Sequence, residues 1–354
     1  LVVGPTLNLT GIVFLDYVAT EATKYGAADF DYYNSANWAQ IKNNVTIDDM
    51  PNFTLAGFKI AVNNGNPAVK IDNDNGATGT LTLSYLDISN GGSGAGLQIN
   101  DQTGTINITA VNATSVSGRG AYIGSDSAIA GKLNITNSGF NHNGGIGLEV
   151  HITGQTTLTG VSSSNNADLG VEFDGAGVII KNSVFSNNNA HGFYYYSRGA
   201  GDFSVENSQF NNNADIGLTA GNFSTESLVD FVRGNITLKN VRADNNGTTG
   251  ANLDTCGWNG TSCQNSAAGN ITISNSNFAN NGHNTQGYGL YVLAKGNIVL
   301  TSVWAGENGN DATNSFGAYL DNTHSLTKSS VTLTDSGFSF NRNDGLRVFS
   351  TGMI

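Results

Sequence analysis

The feature that most constrains this chain is an internal repeat. From about residue 81 to the end, one pattern recurs: apolar-x-apolar, a short polar stretch, Asn, a turn, then Gly-apolar-x-apolar. Clear copies are LNITNSGFNHNGGIGLEV, FSVENSQFNNNADIGLTA and ITISNSNFANNGHNTQGYGLYV. Anchoring each copy on its second apolar residue gives Leu83, Ile108, Ile135, Leu158, Ile180, Val205, Leu238, Ile273, Leu300 and Leu333. The spacing never falls below 22 residues, and the longer intervals read as the same unit with a loop inserted. Alternation inside each run has period two, which is the signature of a strand with one face buried. A unit this short cannot bury its own apolar face, so it must stack on its neighbours. The pattern predicts an all-β, parallel β-helix solenoid of about 10–11 rungs. It is right-handed, because parallel crossovers are.

Fixed offsets from the anchor support this reading. Eight positions on stand Asn143, Asn166, Asn188, Asn213, Asn246, Asn281, Asn308 and Asn341, with only Gly91 and Val116 breaking the column. The chain has 50 Asn in 354 residues, far too few for such a run to arise by chance. The column predicts an inward Asn ladder whose amides pair from rung to rung. Twelve positions on, Gly120, Gly147, Gly170, Gly192, Gly217, Gly250 and Gly345 form a second column, which implies either positive φ or close approach between rungs. Five positions on, Phe and small residues mostly alternate, from Ile88 and Ala113 to Ala305 and Phe338, as an interdigitated core requires. Residues 53–72 resemble a degenerate first rung. Residues 1–52 fall outside the pattern and are expected to cap the coil or to dock on another subunit. The segment ANWAQI within them is expected to form a short helix.

The N-S-x-F-x-x-N-x-x-x-G-L-x-V repeat resembles that of the pectate-lyase-like superfamily. GNITLKNVRADNNGTTGANLD and the repeat after it are more closely similar to long β-helix repeat proteins on the surfaces of filamentous environmental bacteria. The resemblance covers residues 81–354. It implies the fold but selects no function, since one scaffold carries many activities.

Composition narrows the function. A net charge of −12 with 15 Lys and Arg excludes phosphate recognition on nucleic acid. No apolar run approaches the length of a membrane helix. Scarce Lys and abundant Asn, Ser and Thr point to an extracellular or cell-surface setting. There Cys256 and Cys263, flanking GWNGTS, are expected to staple a peripheral loop as a disulfide.

The outward column of the second strand reads Gln98, Tyr122, Glu149, Glu172, Tyr194, Thr219, Asn252, Tyr291, Tyr319 and Arg347. Tyr122, Glu149, Glu172, Tyr194 and the nearby Tyr196 are the glycan-binding candidates. Glu149 and Glu172 are also weak Ca²⁺ candidates, in a chain otherwise expected to need no metal or cofactor. The bland reading is an ordinary solvated strand face. Polygalacturonase-type signatures are missing: Asp48-Asp49 lies outside the repeats, and His191-Gly192 and Gly282-His283 are not G-H-G. Arg119, Arg198, Arg233, Arg242 and Arg347 are expected to form no cluster, and the five His to be solvated turn residues.

On these grounds no catalytic residue is assigned. The expectation is a non-enzymatic structural or adhesive protein that associates head to tail with copies of itself. Its alternative is a polysaccharide-active enzyme (lyase or glycoside hydrolase) or carbohydrate-binding module using the Tyr122/Glu149/Glu172/Tyr194 face.

Overall fold

A computed structural model describes residues 2–3, 39–50, 52–73, 78–124, 131–197, 199–221, 231–259, 261–283, 287–309, 315–325 and 328–354. Every regular element among them is a β-strand. The chain divides into two compact units, Leu1–Ala167 and Asp168–Ile354.

Each unit has two sheets of parallel strands, and successive strands in the chain alternate between them. In the first unit, sheet A holds Val2–Val3, Val45–Asp48, Val69–Asp72, Leu97–Asn100, Ala121–Ile123 and Leu148–Ile152. Sheet B holds Ala39–Ile41, Phe53–Val62, Thr80–Asn90, Thr105–Ala113, Lys132–Thr136 and Thr156–Thr159. The second unit continues the scheme. Its sheet A runs from Val171–Gly175 to Leu346–Phe349, and its sheet B from Val178–Lys181 to Val331–Thr334. The anchors stack in register: Leu83 on Ile108 on Ile135 on Leu158, and Ile180 on Val205 on Leu238 on Ile273 on Leu300 on Leu333. All but the terminal Leu333 are fully buried.

The strand ladder reaches back to Ala39. Ala39–Ile41 pairs with Phe58–Ile60 as a strand, which corrects the expected helix at ANWAQI. Val2 and Val3 pair with Thr46 and Ile47 of the same chain. Residues 4–38, most of the segment expected to cap the coil or to dock on another subunit, lie outside the described residues.

A third side of each coil had no sequence prediction. Isolated parallel bridges run Asn112–Gly139–Ser162 in the first unit and Val184–Gln209–Arg242–Asn277 in the second, four positions past the anchors. Two left-handed corners flank this side. At anchor plus two, Tyr85, Ala110, Asn137, Asn182, Asn207, Asn240, Asn275, Ser302 and Asp335 have φ between 48° and 54°, and Gly57 and Gly160 share the sign. At anchor plus seven, Ser115, His142, Asn165, Asn187, Asn212, Asn245, Asn280, Glu307 and Phe340 have φ between 55° and 61°. Asn is the non-Gly residue that tolerates this region best, because its short polar side chain can hydrogen-bond locally. The asparagine content therefore has two causes, exposed corners and a buried ladder.

The ladder is as expected. Asn213 accepts at Oδ1 from the backbone N–H and the Nδ2 of Asn188, both at 3.0 Å. Its own Nδ2 donates to Asn246 Oδ1 at 3.1 Å and to the Phe185 carbonyl at 3.1 Å. Asn246, Asn281 and Asn308 repeat the arrangement down to Asn341. In the first unit, Asn143 N–H donates to Asn166 Oδ1, and Val116 N–H donates to Asn143 Oδ1. The Gly column is a close-approach column: none of these glycines has positive φ. A Cβ at Gly217 would lie 2.6 Å from both Asn246 Nδ2 and the Phe210 carbonyl. Inside, Phe185 stacks on Phe210 at 5.3 Å and meets Phe193 edge-on at 5.4 Å.

Adjacent asparagines thus have opposite requirements. Asn213→Leu strands two donors of Asn188 and the Phe185 carbonyl, and should cost on the order of 3 kcal/mol. Asn212→Gly satisfies the corner and should leave the melting temperature level or slightly raised. Thermal melting of the two variants checks both outcomes.

Candidate active site

Tyr122 and Glu149 project from adjacent sheet A strands of the first unit and pair directly in register. Alternation sends Glu149 and His151 to the same outer face of Leu148–Ile152. Arg119 stands at the turn one residue before Gly120, the close-approach glycine leading into Ala121–Ile123. These placements bring four groups together. Glu149 Oε1 lies 3.0 Å from His151 Nε2, and Oε2 lies 2.6 Å from Arg119 Nε. The His151 ring stands 5.6 Å from the Tyr122 ring, and the Arg119 guanidinium sits 5.5 Å over that same ring.

Glu149 is not on a solvated face: its side chain is 8 % exposed, against 50 % for Arg119. A buried carboxylate needs partners, and here they are a guanidinium and an imidazole. The Arg119 contact lacks hydrogen-bond geometry and leaves Oε2 without a directed donor, so it is an ion pair. A carboxylate oxygen only accepts, so in this contact the imidazole donates from Nε2. A carboxylate orienting an imidazole in this way fixes its tautomer for proton transfer.

This cluster corrects one expectation. The histidines were expected to be solvated turn residues, yet His151 stands on a strand against the buried Glu149. Two more histidines have specific partners. His191 stacks on Tyr194 at 5.0 Å and accepts the Ile216 N–H at Nδ1, and burial lowers its pKa against the opposing pull of Asp215 and Asp168. His324 packs on Trp258.

The remaining candidates lie in the second unit. Glu172 pairs in register with Tyr194. Tyr194 and Tyr196 point outward and meet edge-on at 4.3 Å, while Phe193 and Tyr195 are buried, as alternation predicts. Among the described residues, no group of three or more His, Cys, Asp or Glu is placed to hold a metal ion. Cys256 and Cys263 form the expected disulfide.

The sequence model of the family described as "right handed beta helix region" matches residues 67–231. This is a right-handed parallel β-helix. Among solved structures, the A-module of mannuronan C-5 epimerase AlgE4 from Azotobacter vinelandii is similar at 12% identity and a TM-score of 0.58, covering 89% of this chain and 84% of that one. The AlgE6 A-module from the same organism matches at 10% identity and a TM-score of 0.43, covering 92% and 93%. Pectate lyase Pel9A matches at 16% identity and a TM-score of 0.33, covering 82% and 72%. The last two superpose too loosely to argue from. No curated protein matches the chain. The AlgE4 likeness shows the fold. It also counts against the expectation of a non-enzymatic protein, because the fold matched is that of a mannuronan C-5 epimerase module.

One titration separates structure from chemistry. Burial raises the pKa of Asp254 from 3.8 to about 7, against the N–H groups of Gly257 and Cys256 that favour its charge. The folded state therefore holds this proton more tightly than the unfolded chain. Its contribution to stability is full below pH 4, declines between pH 4 and 7, and is lost above. The loss is on the order of a few kcal/mol. Asp254→Asn, which still accepts from both N–H groups, should flatten that decline in denaturant titrations at pH 4, 6 and 8.

Proposed function

We propose that this β-helix is a polysaccharide-active enzyme working on the outer face of sheet A in the first unit. The observation that carries the reading is the Arg119–Tyr122–Glu149–His151 cluster, in which a buried carboxylate holds an imidazole beside a phenol and a guanidinium. Such a set suits proton transfer at a carbon next to a carboxylate, the acidic C–H of a uronate. His151 is the base, Glu149 positions it, and the phenol of Tyr122 is the complementary proton donor. Arg119, half exposed, supplies the positive charge that a uronate carboxylate needs as electrons shift toward it. The AlgE4 A-module, a mannuronan C-5 epimerase, shares the fold, and C-5 of a uronate is such a carbon. The disulfide and a polymeric substrate both fit an extracellular setting.

The test is turnover of polymannuronate and polygalacturonate, followed by deuterium uptake at C-5 in heavy water and by formation of unsaturated ends. His151→Gln should reduce either signal by about 10²-fold or more. Glu149→Gln should reduce it less and shift the pH profile, because it loosens the base without removing it. If folded wild-type protein shows neither signal on any uronate polymer, or His151→Gln reacts normally, the reading fails.

A further inference from the structure

In the second unit a short disulfide loop holds an exposed indole. Trp258 bridges antiparallel to Cys263 inside the Cys256–Cys263 loop, and the residue is 37 % exposed. The loop is fixed from below. Asp254 Oδ1 accepts the N–H of Cys256 at 2.6 Å and of Gly257 at 2.9 Å, and the Cys256 carbonyl accepts the Gln264 N–H at 2.8 Å. Gly257 has φ +60°, and a Cβ there would lie 2.1 Å from the Phe231 ring, so only Gly lets the loop approach this closely.

The indole is also fixed from the side. It packs on the His324 imidazole at 4.0 Å with 31° between planes. His324 Nε2 in turn lies 3.5 Å from Asp321 Oδ2. Asp321 Oδ1 accepts the N–H and the hydroxyl of Thr323 at 2.8 and 2.6 Å. A large apolar ring left in water is an ordinary thing. One clamped by a disulfide, a carboxylate cap and an imidazole is pre-organised, and pre-organisation is what raises affinity for a ligand.

We infer that Trp258, His324 and Asp321 form a stacking subsite for one neutral pyranose residue of a glycan. The C–H face of a pyranose lies on the indole. Its hydroxyls exchange hydrogen bonds with the part-exposed His324, which the buried Asp321 carboxylate holds in place. The Asp321 carboxylate disfavours a uronate at this position, so the ligand class differs from that proposed for the His151 face and the inference does not rest on it.

Tryptophan fluorescence during titration with neutral oligosaccharides (gluco-, manno- and galacto-series) and with oligouronates decides the matter. The expected result is saturable quenching by a neutral series. It should weaken at least tenfold in Trp258→Ala and in His324→Ala by calorimetry, weaken on reduction of the disulfide, and persist in His151→Gln. His324→Ala leaves the disulfide and the Asp254 contacts that fix the loop from below, so its loss of affinity cannot be put down to an unfolded loop. No saturable binding, binding restricted to uronates, binding unchanged in both variants, or a Trp258-dependent dimer in place of glycan binding would each overturn the inference.

Discussion

Parallel backbone pairing between successive coils is the constraint on which every other feature depends. Strands about 4.8 Å apart place equivalent residues of adjacent coils directly over one another, so a requirement at one position becomes a requirement along a column. A corner that turns left-handed at Asn212 turns left-handed at Asn187 and Asn245 as well. An amide buried at Asn213 can be satisfied because the same amide stands above and below it. A missing Cβ at Gly217 makes room for Asn246 of the next coil. The same stacking places Glu149 directly over Tyr122 on the outer face.

That arithmetic made much of the fold readable from residues alone. The anchors, the ladder, the Phe column and the outward column all stand where their offsets put them, because each depends on the strand period and one repeat length. The left-handed corners were harder to see. At anchor plus two the column mixes Tyr85, Ala110, Ser302 and Asp335 with asparagines, so no residue type marks it. At anchor plus seven the asparagines sit next to those of the ladder and were absorbed into a general excess. The strand at Ala39–Ile41 was missed because a three-residue strand with no turn signal shows no period.

The candidate site was half legible for a different reason. Tyr122 and Glu149 share an offset and were found together. His151 stands two residues beyond Glu149, and strand alternation alone places it on the same face, so a signal was available in the sequence. Arg119 sits at a corner one offset earlier and reaches the site through the length of its side chain. Matching columns only to themselves hides such diagonal contacts, and enzyme sites are built largely from them. The burial of Glu149 was also invisible, since alternation says which way a side chain points but not what covers it.

The ladder has a consequence for the chemical lifetime of the molecule. Asn143, Asn246, Asn281 and Asn308 are each followed by Gly. In a flexible chain that pair cyclises and deamidates readily, because the next backbone nitrogen can reach the side-chain carbonyl. In the ladder each of these carbonyls is held by the coil before it: Asn143 by the Val116 N–H, the others by the preceding asparagine. Folding therefore shields the amides from ageing. A single conversion to aspartate would place a carboxylate against the side-chain oxygen of the next asparagine, with no amide hydrogen left to donate. A molecule altered in this way would lose the rung-to-rung pairing at the ladder positions.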